Sequence, residues 1–254
     1  MFLHWAIYLL GGLLSGSVNA VAGGGALFLF PLLIGLGLPP MIANTTMSLI
    51  VQPGTLSAAI GYRHQLRSLP GRYFLLLIPA VVGGLAGAII LVKTSNLFFE
   101  QIAPFFMAAA VLLLAFQPNI HAMLYKKKAP RHGYLVALAV VIIGFILVSV
   151  YGGYFGAGFG IIALGLLGMT KLKDIQQMNG LKNLAGFTVG TADSAYFIAH
   201  HLIDWHILPL FVLGNVIGGY YAAIYSARLS SKNLRTVIII VASVLTIYLF
   251  CKYH

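Results

Sequence analysis

Residues 19–25 read Asn-Ala-Val-Ala-Gly-Gly-Gly, and residues 154–160 read Tyr-Phe-Gly-Ala-Gly-Phe-Gly. Each cluster closes a long apolar run and precedes a short one, 26–36 in the first case and 159–168 in the second. At about 1.5 Å of rise per residue, neither short run spans the roughly 30 Å of hydrocarbon in a bilayer. Glycine accepts left-handed backbone and close approach, so a helix is expected to break at both places. The short runs then read as half-helices or re-entrant segments. Irregular backbone at membrane depth is stable only where protein buries it or where it lines a cavity.

The rest of the chain fits that reading. Of 254 residues, 60% are hydrophobic and 7% charged, with a mean hydropathy of +0.97; soluble domains carry roughly 25% charged residues. A soluble globular domain is excluded. Fifteen Lys and Arg against four Asp and Glu give a net charge of +11. In a soluble protein that surplus would suggest nucleic acid; in a membrane protein it marks the short loops kept in the cytoplasm. The expected partners are lipids and a small anion, with no nucleic acid. The single cysteine, Cys251, leaves no internal disulfide and no cysteine-built metal site, and no cofactor or metal is expected. The start, Met1-Phe2-Leu3-His4, lacks a basic signal-peptide region, so the first apolar run is expected to be structure.

Charged and Gly/Pro-rich punctuation marks eight long apolar stretches: 3–22, 41–62, 73–93, 101–117, 134–157, 175–199, 206–227 and 235–251. Sliding the chain by 135 positions lays Asn19–Gly25 over Tyr154–Gly160, Asn44 over Asn179, Gly83-Gly84 over Gly218-Gly219 and Lys93 over Arg228. Two halves follow, 1–120 and 136–254, joined by a basic linker, 121–135. Loop 63–72 carries Arg63, Arg67 and Arg72, whereas its counterpart near 199–206 carries Asp204 and no Lys or Arg. Conversely, 94–100 has only Glu100, while 228–235 has Arg228, Lys232 and Arg235. Equivalent loops thus prefer opposite sides. The expected fold is an all-α polytopic membrane protein of two inverted-topology repeats, about eight full spans plus two half-helices, in the inner membrane with both termini outside. Loops 63–72, 117–133, 169–174 and 228–235 would be cytoplasmic, with Lys252 as the one dissenting charge. Inverted repeats with matching helix breaks point to a secondary transporter and a site near the midplane.

Three groups of residues are candidates for that site. The helices opening after Gly24, Gly25, Gly158 and Gly160 would aim unpaired N–H groups and a positive dipole end at an anion; alternatively, the glycines only let helices pack closely. In 41–62, Asn44, Ser48, Gln52, Thr55 and Tyr62 share a helical face, and Pro53 should kink the helix. In 175–199, Gln176, Asn179, Lys182, Asn183, Gly186, Gly190 and Asp193 form a second stripe. Polar stripes also glue helices together. Lys182 lies deep enough that its ammonium must be paired or hydrated, unless it snorkels to the interface. Asp193, eleven residues further along, lies on nearly the same face but roughly 16 Å away, so the two are not expected to form a salt bridge. His200, His201 and His206 with Asp204 suggest a metal by residue type, but a solvated interface explains them more simply. Arg63, His64 and Lys126-Lys127-Lys128 read as topology signals.

The motifs also resemble a known family. Gly16-Ser17-Val18-Asn19-Ala20-Val21-Ala22-Gly23-Gly24-Gly25-Ala26-Leu27, then Pro31-Leu32-Leu33, Gly37-Leu38-Pro39-Pro40, Ala43-Asn44-Thr45 and Gly61-Tyr62-Arg63, look like the first half of the TauE/SafE sulfite exporters. Gly156–Gly160 and Asn179-Gly180-Leu181-Lys182-Asn183 are similar to that family's second half, so the likeness covers nearly the whole chain. It implies a prokaryotic inner-membrane permease for sulfite, sulfonates or related organosulfur anions. The halves differ, with Tyr154 standing for Asn19 and Lys182 for Met47, which suits a single anion.

The expected function is therefore a secondary transporter of a small oxyanion or sulfonate, by alternating access and with possible proton coupling through Asp193. Asn19, Gly24, Gly25, Asn44, Ser48, Gln52, Gly158, Gly160, Asn179, Lys182 and Asn183 would replace the anion's hydration shell. A passive anion channel is the alternative, since paired half-helices also build pores. An intramembrane enzyme has less support, because no serine sits beside a histidine at a nucleophile–base spacing.

Overall fold

In the computed structural model, residues 2–126, 134–170, 172, 174–226, 236, 239, 240, 242–244, 246–248, 250 and 251 are described. Lys127, Lys128, Lys171, Lys173, Arg228, Lys232, Arg235 and Lys252, which carry part of the loop-charge argument, lie outside them.

The described residues form helices and no strand: α1 (Phe2–Ala22), α2 (Gly25–Gly35), α3 (Pro40–Gly61), α4 (Arg63–Arg67), a 3₁₀ turn at Gly71–Leu76, α5 (Leu77–Lys93), α6 (Asn96–Lys126), α7 (Tyr134–Tyr154), α8 (Phe159–Gly168), α9 (Ile175–Ala199) and α10 (Leu208–Tyr225). Local chemistry sets several of the ends. Pro40 opens α3, where a missing N–H costs nothing. Asp174 caps α9 by accepting the Gln176 N–H at 2.8 Å. Gly158, at φ +88°, caps α8 from the left-handed region. Helix α3 runs through Pro53 without interruption.

Four described helical stretches are long and apolar enough to cross a membrane: His4–Ala22, Gly71–Lys93, Asn96–Phe116 and Leu208–Tyr225. The chain is a multi-pass, all-helical membrane protein. Helices α3 and α9 have 22 and 25 residues, enough for about 33 and 37 Å of rise, but polar side chains dilute their apolar character. The short helices α2 and α8 follow the glycine breaks, with ends within one residue of expectation.

Glycine rows decide how the long helices meet. On α1, a Cβ added to Gly12 would lie 2.2 Å from Phe211 O, and one on Gly16 2.2 Å from Asn215 O. Opposite them on α10, Gly214 and Gly218 would strike Leu9 O and Leu13 O at 2.2 and 2.1 Å. Both rows have the small-xxx-small spacing that brings backbones together in lipid, where the hydrophobic effect does not drive helices to associate. Helices α5 and α7 interlock in the same way: a Cβ added to Gly87 would lie 2.1 Å from Val150 O, and one on Gly153 2.0 Å from Gly84 O. Gly12→Ala is therefore expected to push α10 away from α1 and cost about 1–3 kcal/mol. A lower Tm of the purified protein in detergent would register it, and an unchanged Tm would contradict the interlock.

Candidate functional site

The two breaks meet each other. Gly23, at φ +77°, ends α1, and a Cβ there would lie 2.6 Å from the carbonyl carbon of Gly160; a Cβ on Gly160 would lie 2.6 Å from Gly23 Cα. This backbone crossing holds the start of α8 against the end of α1. Beside it is a cavity of about 50 Å³, room for a few waters or one small ion. Its lining comes from α1 (Asn19), α2 (Ala26), α3 (Ser48, Gln52), α8 (Phe159, Gly160) and α9 (Lys182, Asp193), among others.

Lys182 is 2% exposed. Its ammonium donates to Asn19 O at 2.8 Å, Ala20 O at 3.0 Å and Asn179 Oδ1 at 3.2 Å. Two of these acceptors are carbonyls in the last turn of α1, where the negative end of the helix dipole attracts positive charge; Asn19 O also accepts from Gly23 N at 3.1 Å. The Asn183 amide donates to the same Ala20 O at 2.9 Å and to Asn179 O at 2.8 Å. Lys182 does not snorkel: it lies across the broken end of α1 and borders the cavity. At the corresponding end of α7, Asn44 Nδ2 donates to Tyr154 O at 2.9 Å and the Tyr151 hydroxyl to Ala157 O at 2.6 Å.

Asp193, 1% exposed, accepts from the Ser48 hydroxyl at 2.8 Å and the Ser194 hydroxyl at 3.1 Å. The Ser48 bond joins α3 to α9 at another part of the cavity wall, while Ser194 is the neighbour of Asp193 on α9 itself. Gln52 donates to Thr191 Oγ1 at 2.9 Å, and it lies close to α9 because position 190 has no side chain: a Cβ on Gly190 would be 2.9 Å from Gln52 Cβ.

Of the residues singled out in the sequence, Asn19, Ser48, Gln52, Gly160, Lys182, Asn183 and Asp193 line the cavity, as do Thr55, Gly186 and Gly190. Gly24, Gly25, Asn44, Gly158 and Asn179 do not. Gly25 packs against Ser15, whose hydroxyl donates to Gly25 O at 3.2 Å. Asn44 and Asn179 act one layer back, on helix ends and on Lys182. Sequence reasoning missed the apolar wall of Phe159, Val51 and Val189, and also Met47, although the repeat offset pairs Met47 with Lys182.

No group of three or more His, Cys, Asp or Glu able to hold a metal comes together among the described residues. His200 Nδ1 lies 2.9 Å from Tyr196 O, and Asp204 caps its own loop by accepting from His206 N at 2.9 Å. The loop is tied to the start of α3 by Asp204 N donating to Thr46 Oγ1 at 3.0 Å and by the Thr45 hydroxyl donating to Leu202 O.

The chain is similar to known proteins over most of their length. The chain is 27% identical over 245 residues to a protein of Haemophilus influenzae named "Probable membrane transporter protein", covering 92% of this chain and 90% of that one. It is 24% identical over 250 residues to "Probable membrane transporter protein YfcA" of Escherichia coli, covering 95% and 88%. A Sinorhizobium protein, "Probable membrane transporter protein ORF9", is 23% identical over 238 residues, covering 93% and 88%. No solved structure gives a significant match. The profile of the sulfite exporter TauE/SafE family matches residues 8–249, nearly the whole chain, and this makes the chain a member of that family of membrane transporters.

Proposed function

We propose that the chain is a secondary carrier of small anions, sulfite or an organosulfonate, working by alternating access between two inverted-topology repeats in the inner membrane. The observation that carries the reading is the cavity itself, small, bordered by both helix breaks, and with polar side chains from both stripes set into a largely apolar wall. Contacts 135 positions apart support the repeats: Gly219 packs against Gly54 as Gly84 packs against Val189, and left-handed Gly23 corresponds to left-handed Gly158. Helix α1 lies on α10 as α7 lies on α5. Such paired arrangements suit rocking of one half against the other.

In this reading the anion sits near Ala26 and Gly160, at the starts of α2 and α8, where backbone N–H groups and dipole ends favour negative charge. Asn19, Ser48, Gln52 and Asn183 supply polar side chains. Lys182 gives its charge to the cavity, while its N–H groups donate to two carbonyl oxygens of α1 and to Asn179 Oδ1. Asp193 is the group for proton coupling, because an anion enters the same small cavity more easily when that carboxyl is neutral.

Lys182→Ala should weaken sulfite binding by at least about tenfold, equivalent to about 1.4 kcal/mol. Purified protein in proteoliposomes checks this, and uptake equal to the parent's would remove Lys182 from the site. Saturation and counterflow are expected of a carrier and absent from a passive pore. Reporter fusions in loops 63–72 and 199–206 should fall on opposite sides of the membrane; the same side would end the inverted-repeat reading.

A further inference from the structure

The three oxygens around Lys182 form a cation site. A helix's last carbonyls carry the negative end of its dipole, and in secondary transporters unwound carbonyls and half-helix C-terminal ends coordinate coupling cations such as Na⁺. Asn19 O and Ala20 O lie at such a C-terminal end, where α1 stops before left-handed Gly23; Asn19 O takes one bond from Gly23 N at 3.1 Å and has its second lone pair for a cation. Asn179 Oδ1 closes the set from α9. The oxygens lie 2.8, 3.0 and 3.2 Å from Lys182 Nζ, so each of the ammonium's three protons has an acceptor. Asn183, also buried, holds Ala20 O in place through its amide, and its own Oδ1 has no hydrogen-bond partner. Hard monovalent cations seek this ligand type, neutral carbonyl and amide oxygens.

The other half is built differently. Met47 stands at the offset position, and Tyr154 O at the end of α7 is taken by the neutral Asn44 amide. Of these two helix ends, only that of α1 therefore holds a cation in an oxygen cage, and that cation is tethered to α9.

We propose that Asn19 O, Ala20 O and Asn179 Oδ1 form a monovalent-cation site whose resident cation is the Lys182 ammonium, and that removing the ammonium opens this site to Na⁺ or K⁺. The parent then needs no free Na⁺ at this position, and α1 and α9 are joined permanently rather than by an exchangeable ion. The inference does not depend on which anion is carried, and its readout involves no substrate.

The test is thermal unfolding of the purified full chain in NaCl, KCl or choline chloride at constant ionic strength. The parent should have the same Tm in all three; a saturable gain with Na⁺ or K⁺ would overturn the proposal. Lys182→Met, which installs the side chain found at the offset position, should melt lower in choline and recover by about 5 °C as Na⁺ or K⁺ saturates. A Lys182→Met protein that melts identically in all three salts would also overturn it. Should that variant not fold, Asn179→Ala decides. It keeps the ammonium in place and should melt lower by the same amount in every salt, whereas recovery specific to Na⁺ or K⁺ would show that Lys182 is not the resident cation.

Discussion

Gly23→Ala should cost about 2–5 kcal/mol of stability and sharply lower the yield and Tm of folded protein, whereas Gly35→Ala, with open space around an added Cβ, should leave both unchanged. Position 23 has two demands that only glycine meets. Its φ of +77° lies in the left-handed region, which costs an L-residue with a Cβ about 1–2 kcal/mol. The added Cβ would also lie 2.6 Å from the Gly160 carbonyl carbon and 2.9 Å from Ile161 N. Those are backbone atoms at the crossing of the two breaks, so no rotamer change relieves the clash, and overpacking adds about 1–3 kcal/mol. The sum is a large fraction of a typical stability of about 5–15 kcal/mol. Gly37 separates the two contributions: it has φ +96° but nothing within 4 Å of an added Cβ, so Gly37→Ala should show the backbone cost alone. Gly160→Ala strikes the same contact from the other side. The double variant with Gly23→Ala should therefore cost less than the sum of the singles. Yield on size exclusion and Tm in detergent measure all of these; a Gly23→Ala protein that melts with the parent would mean the breaks do not touch.

Those breaks were legible in the sequence because their demand is local. A cluster of glycines between apolar runs has few explanations, and α2 and α8 begin and end within one residue of where the composition changes. That Gly23 rests on Gly160 was not legible, since the contact joins two halves whose separation nothing local reports. The polar stripes of α3 and α9 were visible from their spacing, but their division of labour was not. Whether Asn44 faces the cavity or the end of α7 depends on where α7 stops, and its partner there is a backbone carbonyl, Tyr154 O, with no sequence signature. Lys182 shows the same limit: its depth could be counted along the helix, yet two of its three acceptors are main-chain oxygens of α1. Phe159, Val51 and Val189 were invisible as a cavity wall because apolar residues in a chain that is 60% hydrophobic give no contrast. The same weakness of contrast, in the opposite sense, affects the spans: α3 and α9 fall short of membrane-span hydropathy because they carry the polar stripes that border the cavity.

Asp193→Asn should separate anion movement from proton movement while leaving the protein folded. Ser48 and Ser194 both donate to Asp193 Oδ1, and the carbonyl oxygen of an asparagine accepts the same two bonds in nearly the same volume. Little stability should be lost. Asp193→Ala, by contrast, would leave two hydroxyls without their acceptor and costs about 1–3 kcal/mol. The consequence for transport follows from charge. With Asp193 ionised, a negative carboxylate and an anion compete for one cavity of about 50 Å³; with it neutral, that repulsion is gone. Anion affinity of the parent should therefore fall as pH rises through the titration of this group, and proton and anion should travel in the same direction. A gradient of one pH unit is worth about 1.4 kcal/mol per proton, enough for about tenfold accumulation. In proteoliposomes the parent should concentrate sulfite against its gradient when the opposite side is more acidic. The Asp193→Asn protein should still exchange sulfite in counterflow, with a flat pH profile across the same range and no accumulation. Asp204, which caps its own loop away from the cavity, supplies the control, and Asp204→Asn should behave as the parent does. If the Asp193→Asn carrier accumulates sulfite as the parent does, the coupling proton is carried elsewhere and Asp193 serves only to fasten α3 to α9.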